Sequence, residues 1–516
     1  MGFLSFKFVL FLAVTFFTYF VVPKKFQWLV LLLFSYVYYF LNSRLLIAVL
    51  IAESVFVFLT GKALSSINRK IKETQDKEIK KELKKKNKLV LTCGIICVLG
   101  ALIVTKYSDF IIENINALMH GNISLFNFVL PLGISFYTLQ AISYMIDVSK
   151  GKYECDDNIL HFMLYMSYFP QIIQGPIPRY NRLAKQLFEE HDYDYQRVTQ
   201  GLQLTLWGIA KKVIIADRLA KPVSYFFENH AQFTGISILL GAICYSFQIY
   251  ADFSGGIDAI KGISEVFGIR LDDNFRQPYF SRSIEEFWRR WHITLGSWMK
   301  DYVFYPLSLS KTLNRLGKAS RKVLGEFAGK RVAPCIATFV VYLLVGIWHG
   351  ASWKYVAYGI WNGVIITCGI MFDGYKKMLK TFRINGDSKA WNLFRIVRTF
   401  LICSIGRIFS RAADLPAALN IFKSMFIRPF DLSFIDAELF EALGLNVKNW
   451  VLLAVMIIIV MVIDSLKEKG VDIREAVAGK PIVLRWVIYY LLILAILVFG
   501  LYGGGYDAST FIYGRF

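Results

Sequence analysis

Long apolar stretches alternate with short polar punctuation along the whole chain. Phe3–Val22, Phe26–Leu41 and Leu45–Thr60 come in quick succession, joined by tight turns at Pro23-Lys24-Lys25 and Asn42-Ser43-Arg44. Each run can span, or nearly span, a hydrocarbon core of ~30 Å as a helix. Leu89–Thr105 and Ile123–Val148 follow, and the second is long enough to tilt or to break at Pro131 and Gly133. Gly235–Ala251, Ala333–Gly350, Trp353–Phe372, Leu393–Ser410, Trp450–Ser465 and Ile482–Leu501 continue the pattern. It predicts an all-α polytopic membrane protein with about 10–11 transmembrane helices. No polar stretch is long enough to fold alone, so a single membrane domain over residues 1–516 is expected.

The middle third is less regular. Ile159–Ile173 runs into FPQIIQGPIPRY, where Pro170, Pro176 and Pro178 surround Gly175. Such punctuation predicts a re-entrant or broken helix, tolerable at membrane depth only where the backbone is buried in protein or lines a wet cavity. Gln196–Leu219 mixes apolar and basic residues at helical spacing and reads as an interfacial helix. Phe3–Val22 resembles a signal segment without a small-residue cleavage site, and is expected to be a retained anchor.

Charge adds an orientation. The formal net charge is +21, and most of the excess sits in three stretches between apolar segments: 61–88, 311–332 and 373–398. Basic residues confined to short connections mark the cytoplasmic side, which leaves no reason to invoke nucleic acid and places the N-terminus outside. The same stretches are expected to meet anionic lipid headgroups. The seven cysteines are scattered through mostly apolar runs, and are read as small packing residues rather than a disulfide framework or a metal site.

Two short motifs carry the candidate chemistry. EEFWRRWH ends on His292 and GIWHGASW contains His349, so each histidine directly follows a tryptophan, Trp291 or Trp348. A titratable group inside an apolar bundle costs free energy, which makes a functional role the first hypothesis. Desolvation favours a neutral imidazole, able to accept a proton from an attacking hydroxyl. Gly350, Ala351 and Ser352 are small enough to leave room for a substrate, although a hydrogen-bonded histidine closing a helical hairpin would look the same. Arg289 and Arg290 precede His292 and are candidates for binding donor phosphates, or for snorkelling to headgroups. Trp348 is a further candidate on the substrate side. Asp252, in YADFSGG at the end of a span, could orient a histidine or cap a helix. His120, His161, His191 and His230 lie in loops or beside spans and are read as non-catalytic. There is no P-loop, strand-borne GxGxxG, HExxH or GxSxG motif.

At these motifs the chain closely resembles the membrane-bound O-acyltransferases (MBOAT), specifically their bacterial alginate O-acetyltransferase subgroup. PLGISFYTLQAISYMIDV (131–148), YFPQIIQGPI (168–177), WGIAKKVIIADRLA (207–220) and YADFSGGIDAIKG (250–262) carry the resemblance. So do residues 274–307, LLVGIWHGASW (343–353) and the terminal YDASTFIYGRF (506–516). The resemblance implies a ring of tilted helices around a central tunnel, with His349 at the family's catalytic position and His292 at its second, donor-side position. It implies an acetyl group drawn from acetyl-CoA or an acyl-carrier thioester, with no bound cofactor or metal. It also implies a separate extracytoplasmic SGNH-type acetyltransferase as partner and a cell-surface polysaccharide as acceptor. The location implied is the bacterial cytoplasmic membrane. Gly256-Ile257 stands where Tyr-Ser is more usual, and SLSKTLNRLGK follows Leu307 where many relatives have a glycine pair. Two other readings stay open. A D-alanyl transferase for teichoic acid shares fold and histidines, and a transporter or flippase would share the spans. The chain has no internal repeat to favour the latter.

Overall fold

A computed structural model describes residues 2, 5–172, 174–372, 379, 381, 384–430 and 443–501, all of them in helices, turns and irregular segments except one isolated bridge. Six segments among these are long and apolar enough to cross a membrane: Lys24–Glu73, Lys77–Met119, Ile236–Val266, Lys311–His349, Val447–Glu468 and Ile482–Phe499. Lys24–Glu73 runs 50 residues and holds two of the expected spans, Gln27–Ser43 and Ile47–Glu73, separated by a break at Arg44 (φ 45°). Phe6–Val21, Trp353–Met371 and Lys389–Arg411 occupy three more of them. The terminal stretch 506–516 and part of 373–398 lie outside the described residues.

The chain divides into two compact units. The first comprises the N-terminal part to Thr205 together with Gly256–Asp272. Its helices Ile47–Glu73 and Lys77–Leu102 form a long hairpin packed on Ile134–Ser149. The basic stretch 61–88, expected as a loop, is therefore helical except at residues 74–76. Lysine, glutamate and leucine are good helix formers, and the Asp76 carboxylate caps the second arm by accepting from the amides of Glu78 and Ile79. Asn87 donates to Asn68 (3.0 Å), and Asn68 in turn donates to the Val148 carbonyl, which ties the hairpin to the end of its neighbour.

The expected span Ile123–Val148 becomes a helix only from Ile134. Gly133 starts it with φ 75°, and a Cβ there would sit 2.3 Å from the Ile172 carbonyl oxygen, so both conformation and space require glycine. The broken helix after Ser167 is buried as expected: Tyr168, Phe169, Gln171, Gln174 and Ile177 are all inside the unit. Phe11 and Tyr38 pack against Phe169, whose ring also meets Phe267.

The second unit comprises Leu206–Gly255 and the chain from Asp273 onward. Two corrections to the sequence reading fall here. The helix Ile236–Val266 runs straight through YADFSGG, so Asp252 lies mid-helix and is not a cap. The end of the supposed interfacial helix is internal: Lys211, Lys212 and Arg218 are each about 4% exposed, inside the protein rather than at a headgroup layer. The basic stretch 311–332 is again largely helical. Lys311–His349 is interrupted at Gly325 (φ 76°, ψ 171°), where the chain doubles back and packs Gly317 on Ala333 and Gly329 on Arg321. The seven cysteines are free; Cys335 and Cys403 are buried, whereas Cys93, Cys97 and Cys368 are exposed and do not pack internally.

Candidate active site

The segment before His292 is built to hold one turn in place. The helix Ile284–Arg290 starts on Ser283, whose hydroxyl accepts from the Glu286 amide, and ends where Trp291 turns extended. Trp291 forms an isolated antiparallel bridge with Phe275. Around it the Arg276 amide donates to the Arg290 carbonyl (2.9 Å) and the Ile293 amide to the Asn274 carbonyl (3.0 Å). His292 then adopts the left-handed conformation, φ 48° and ψ 52°, before the helix Ile293–Met299 begins. A non-glycine residue there costs of order 1–2 kcal/mol, strain that persists only where the surroundings dictate it.

Asn274 dictates it. Its side-chain oxygen accepts from the Thr294 amide (3.1 Å) and the Thr294 hydroxyl (2.8 Å), and lies 3.2 Å from His292 Nδ1. An amide N–H can only donate, so the Asn274 atom is the oxygen. Nδ1 must then carry a proton, and in the neutral imidazole Nε2 keeps the lone pair.

His349 arrives from another direction. It is the last residue of the helix Lys311–His349, and the return helix Trp353–Met371 packs closely against it. Gly346 and Gly359 make that approach possible: a Cβ on Gly346 would lie 2.4 Å from the Tyr355 carbonyl oxygen. Gly350 serves the same packing, because the Tyr355 ring fills the place a Cβ would take, 2.4 Å away. The expectation that Gly350 opens a path for substrate is thus corrected.

Trp348 joins the two histidines. Its ring centroid is 6.0 Å from that of His292 and 5.2 Å from that of His349. Phe253 packs edge-on against His292 at 5.0 Å, and Tyr358 stands 6.1 Å from His349. His292 is 1% exposed and His349 7%, so both imidazoles sit in one aromatic-lined, dehydrated place. A base and a second nitrogen lone pair in such a setting suit proton transfer coupled to acyl transfer. No group of three or more His, Cys, Asp or Glu side chains among the described residues could hold a metal ion.

Comparison with known proteins is consistent with that chemistry. The sequence pattern of the MBOAT, membrane-bound O-acyltransferase family, matches residues 156–411, which include both histidines. The "Probable alginate O-acetylase AlgI" of Pseudomonas syringae pv. tomato is 32% identical over 415 residues, covering 79% of this chain and 71% of that protein. The chain belongs to the membrane-bound O-acyltransferase family. It is a multi-pass membrane O-acyltransferase. It is also similar to the "Peptidoglycan O-acetyltransferase" of Helicobacter pylori, 30% identical over 386 residues, 69% of this chain and 67% of that one. The "Teichoic acid D-alanyltransferase" of Bacillus subtilis is 30% identical over 293 residues, 55% of this chain and 69% of that one.

The other candidate residues of this acyltransferase separate on inspection. Asp252 is fully buried, and its carboxylate pairs with Lys212 Nζ at 2.7 Å; the same ammonium pairs with Asp217 at 2.7 Å. Neighbouring Lys211 donates to Ser254 at 2.8 Å. Asp252 therefore anchors, through its ion pair with Lys212, the helix that presents Phe253 to His292. Arg290 is bound bidentately by Glu468 (2.6 and 2.9 Å) and also donates to Glu286 at 2.7 Å. Its fork is filled by carboxylates, which leaves no face for a donor phosphate. Arg289 is 63% exposed in its side chain and paired with Glu285 one turn away.

Sequence reasoning missed two residues. Asn274 is the first residue of the stretch 274–307, but nothing in its spacing from His292 announced the contact. Arg407 is 3% exposed, with its guanidinium 4.5 Å from the Trp291 ring centroid and 5.4 Å from those of Tyr279 and Phe287. It also donates to the Tyr279 hydroxyl at 2.8 Å. This cation–π cage fixes the wall behind Trp291. Three of the remaining four histidines have local partners: His161 stacks on Phe188, His191 meets the Gln186 carbonyl and His230 that of Phe227.

Proposed function

We propose that this acyltransferase carries an acetyl group from a cytoplasmic thioester, acetyl-CoA or an acyl-carrier thioester, outward for O-acetylation of a cell-surface polysaccharide. The observation that supports it best is the pair of buried imidazoles, both in ring contact with Trp348. His349 is the general base. It takes the proton of the attacking hydroxyl as the new C–O bond forms, and returns it to the sulfur as the C–S bond breaks. His292, with its Nδ1 proton committed to Asn274, offers Nε2 on the donor side. The named relatives from Pseudomonas and Helicobacter are O-acetyl enzymes of surface polymers, which favours acetyl over D-alanyl as the group moved. An extracytoplasmic SGNH-type acetyltransferase is the partner that completes transfer to the polymer. The basic hairpin faces the cytoplasm, the N-terminus faces out, and the membrane is the bacterial cytoplasmic one.

His349→Ala tests the assignment. Positioned proton transfer contributes ~10²–10⁴-fold, so polymer-bound acetate should fall by about that factor while the protein inserts and accumulates normally. Base-labile esters released from the envelope are quantified as acetate and as D-alanine. Near-normal acetate in the variant would reduce His349 to a packing residue, and loss of ester-linked D-alanine instead would replace the acetyl reading.

A further inference from the structure

The first unit contains a cleft of about 340 Å³ that the acyl-transfer chemistry does not use. Arg179, Arg182, Lys185 and Arg270 line it, with Asp272 as its single acid. The acid does not balance the cations. Asp272 pairs with Arg182 at 3.2 Å, Lys185 is 3.7 Å from Glu189 outside the cleft, and the Arg270 guanidinium has no carboxylate within ion-pair distance among the described residues. The contrast with Arg290, whose fork is saturated by two glutamates, is direct.

The cleft is built rather than incidental. Gln186 holds Arg270 in place through both backbone groups: its side-chain oxygen accepts from the Arg270 amide (2.8 Å) and its nitrogen donates to the Arg270 carbonyl (3.1 Å). One side is the short helix Tyr180–Phe188, whose Leu183 is buried beneath it. Pro176, Pro178 and Leu271 give it an apolar wall beside the cations. Its position on the unit follows from neighbouring contacts. The Tyr180 hydroxyl donates to Asp156 (2.8 Å), adjacent Asp157 pairs with Lys62, and Glu154 approaches Arg69, both on the basic hairpin. The helix that forms one side of the cleft is therefore tied, through the segment Glu154–Asp157, to the basic hairpin of this unit.

We infer that this cleft is a binding site for a phosphate ester. Guanidinium groups recognise phosphate oxygens through paired, charge-assisted hydrogen bonds, and the apolar wall suits the organic part of the ester. Two sources share that chemistry: the headgroup of an anionic phospholipid, expected where basic pockets face the cytoplasmic leaflet, and the phosphates of a soluble acyl donor. The second source rests on the thioester reading above, whereas the site itself does not.

The experiment uses the full chain in nanodiscs, with coenzyme A and phosphatidylglycerol as probes. Coenzyme A is titrated against protein in phosphatidylcholine discs, and retained phosphatidylglycerol is counted by native mass spectrometry from mixed discs. Arg182→Gln with Arg270→Gln removes two cleft charges. Lys80→Gln with Lys84→Gln removes two from the hairpin and controls for general electrostatics. Arg182, Arg270 and Lys84 are exposed and Lys80 is half-buried, and Arg270→Lys alone, which keeps charge but loses the fork, gives a milder second variant. The cleft variant should weaken one probe on the order of tenfold, with Arg270→Lys in between and a clearly smaller loss in the hairpin control. Loss confined to coenzyme A assigns the donor as source; loss confined to phosphatidylglycerol assigns the lipid. If wild type binds no coenzyme A but the cleft governs lipid retention, the site stands and the coenzyme reading falls. Equal binding by wild type and cleft variant for both probes, or an equal loss in the hairpin control, overturns the site.

Discussion

Asn274→Ala removes a residue that would touch no substrate in this scheme, and it should still slow the enzyme. One oxygen accepts from three groups, Thr294 N, Thr294 Oγ1 and His292 Nδ1. Truncation leaves these donors inside the protein, where Asn274 is 1% and His292 1% exposed. Each buried group left without its partner costs about 1–3 kcal/mol, and the left-handed His292 backbone adds the strain that the bonds had offset. The turn is then free to relax, and the imidazole to rotate or exchange its Nδ1 proton for one on Nε2. Losing a fixed tautomer and orientation is worth roughly 1.4–2.8 kcal/mol of barrier, or about 10–100-fold in rate.

The assay is single-turnover acyl transfer by purified protein in proteoliposomes, run beside thermal unfolding of the same samples. Asn274→Asp keeps the acceptor oxygen and should recover most of the rate at equal protein. A purely structural role predicts a different pattern, with Tm lowered but the rate per folded molecule unchanged. Full activity per folded Asn274→Ala molecule would refute the claim that this oxygen sets the His292 tautomer.

Other expectations follow from the buried charges and the topology. Lys212→Met leaves Asp217 and Asp252 facing each other without their shared cation; breaking a buried pair this way costs about 3–5 kcal/mol. It should appear as a large drop in Tm by fluorescence-detected size exclusion, which Asp252→Asn partly restores. Arg290→Gln should lower Tm and leave the KM for the acyl donor unchanged, because its fork holds Glu468 and Glu286; a raised donor KM at unchanged Tm would return Arg290 to the donor site. An impermeant thiol reagent should fail to label Lys84→Cys in intact cells and should label it in inverted vesicles, on a background with exposed Cys93, Cys97 and Cys368 replaced. Labelling in intact cells reverses the proposed topology.

Much of the helical framework was legible because lipid imposes one strong rule on sequence: a crossing helix must be apolar over its length. The runs at 26–60, 333–372 and 482–501 needed nothing else. Errors arose where charge was taken for exposure. Lysine-rich 61–88 looked like a loop, yet lysine and glutamate extend a helix as readily beyond the hydrocarbon as alanine does within it. Lys211 and Lys212 looked interfacial by their spacing, and Ser254 and Asp252 some forty residues downstream, with Asp217 close by, help make their burial tolerable. The site was half legible. The two Trp-His pairs stood out because such residues are expensive in an apolar chain, whereas Asn274 and Arg407 look ordinary until the fold sets them against Trp291 and His292.

The buried charges also explain why this site can be both dry and rigid. A dehydrated cavity strengthens every electrostatic contact within it, but it penalises any charge left to wander. Here each charge discussed near the histidines is tied to a different element. Lys212 ties the turn after Ala210 to the helix bearing Phe253, and Arg290 ties the helix before His292 to Val447–Glu468. Arg407 ties Lys389–Arg411 to Trp291 by cation–π contact, with no carboxylate paired to it among the described residues. An aromatic cage holds the guanidinium in place and keeps the wall behind Trp291 positive without adding a second buried charge.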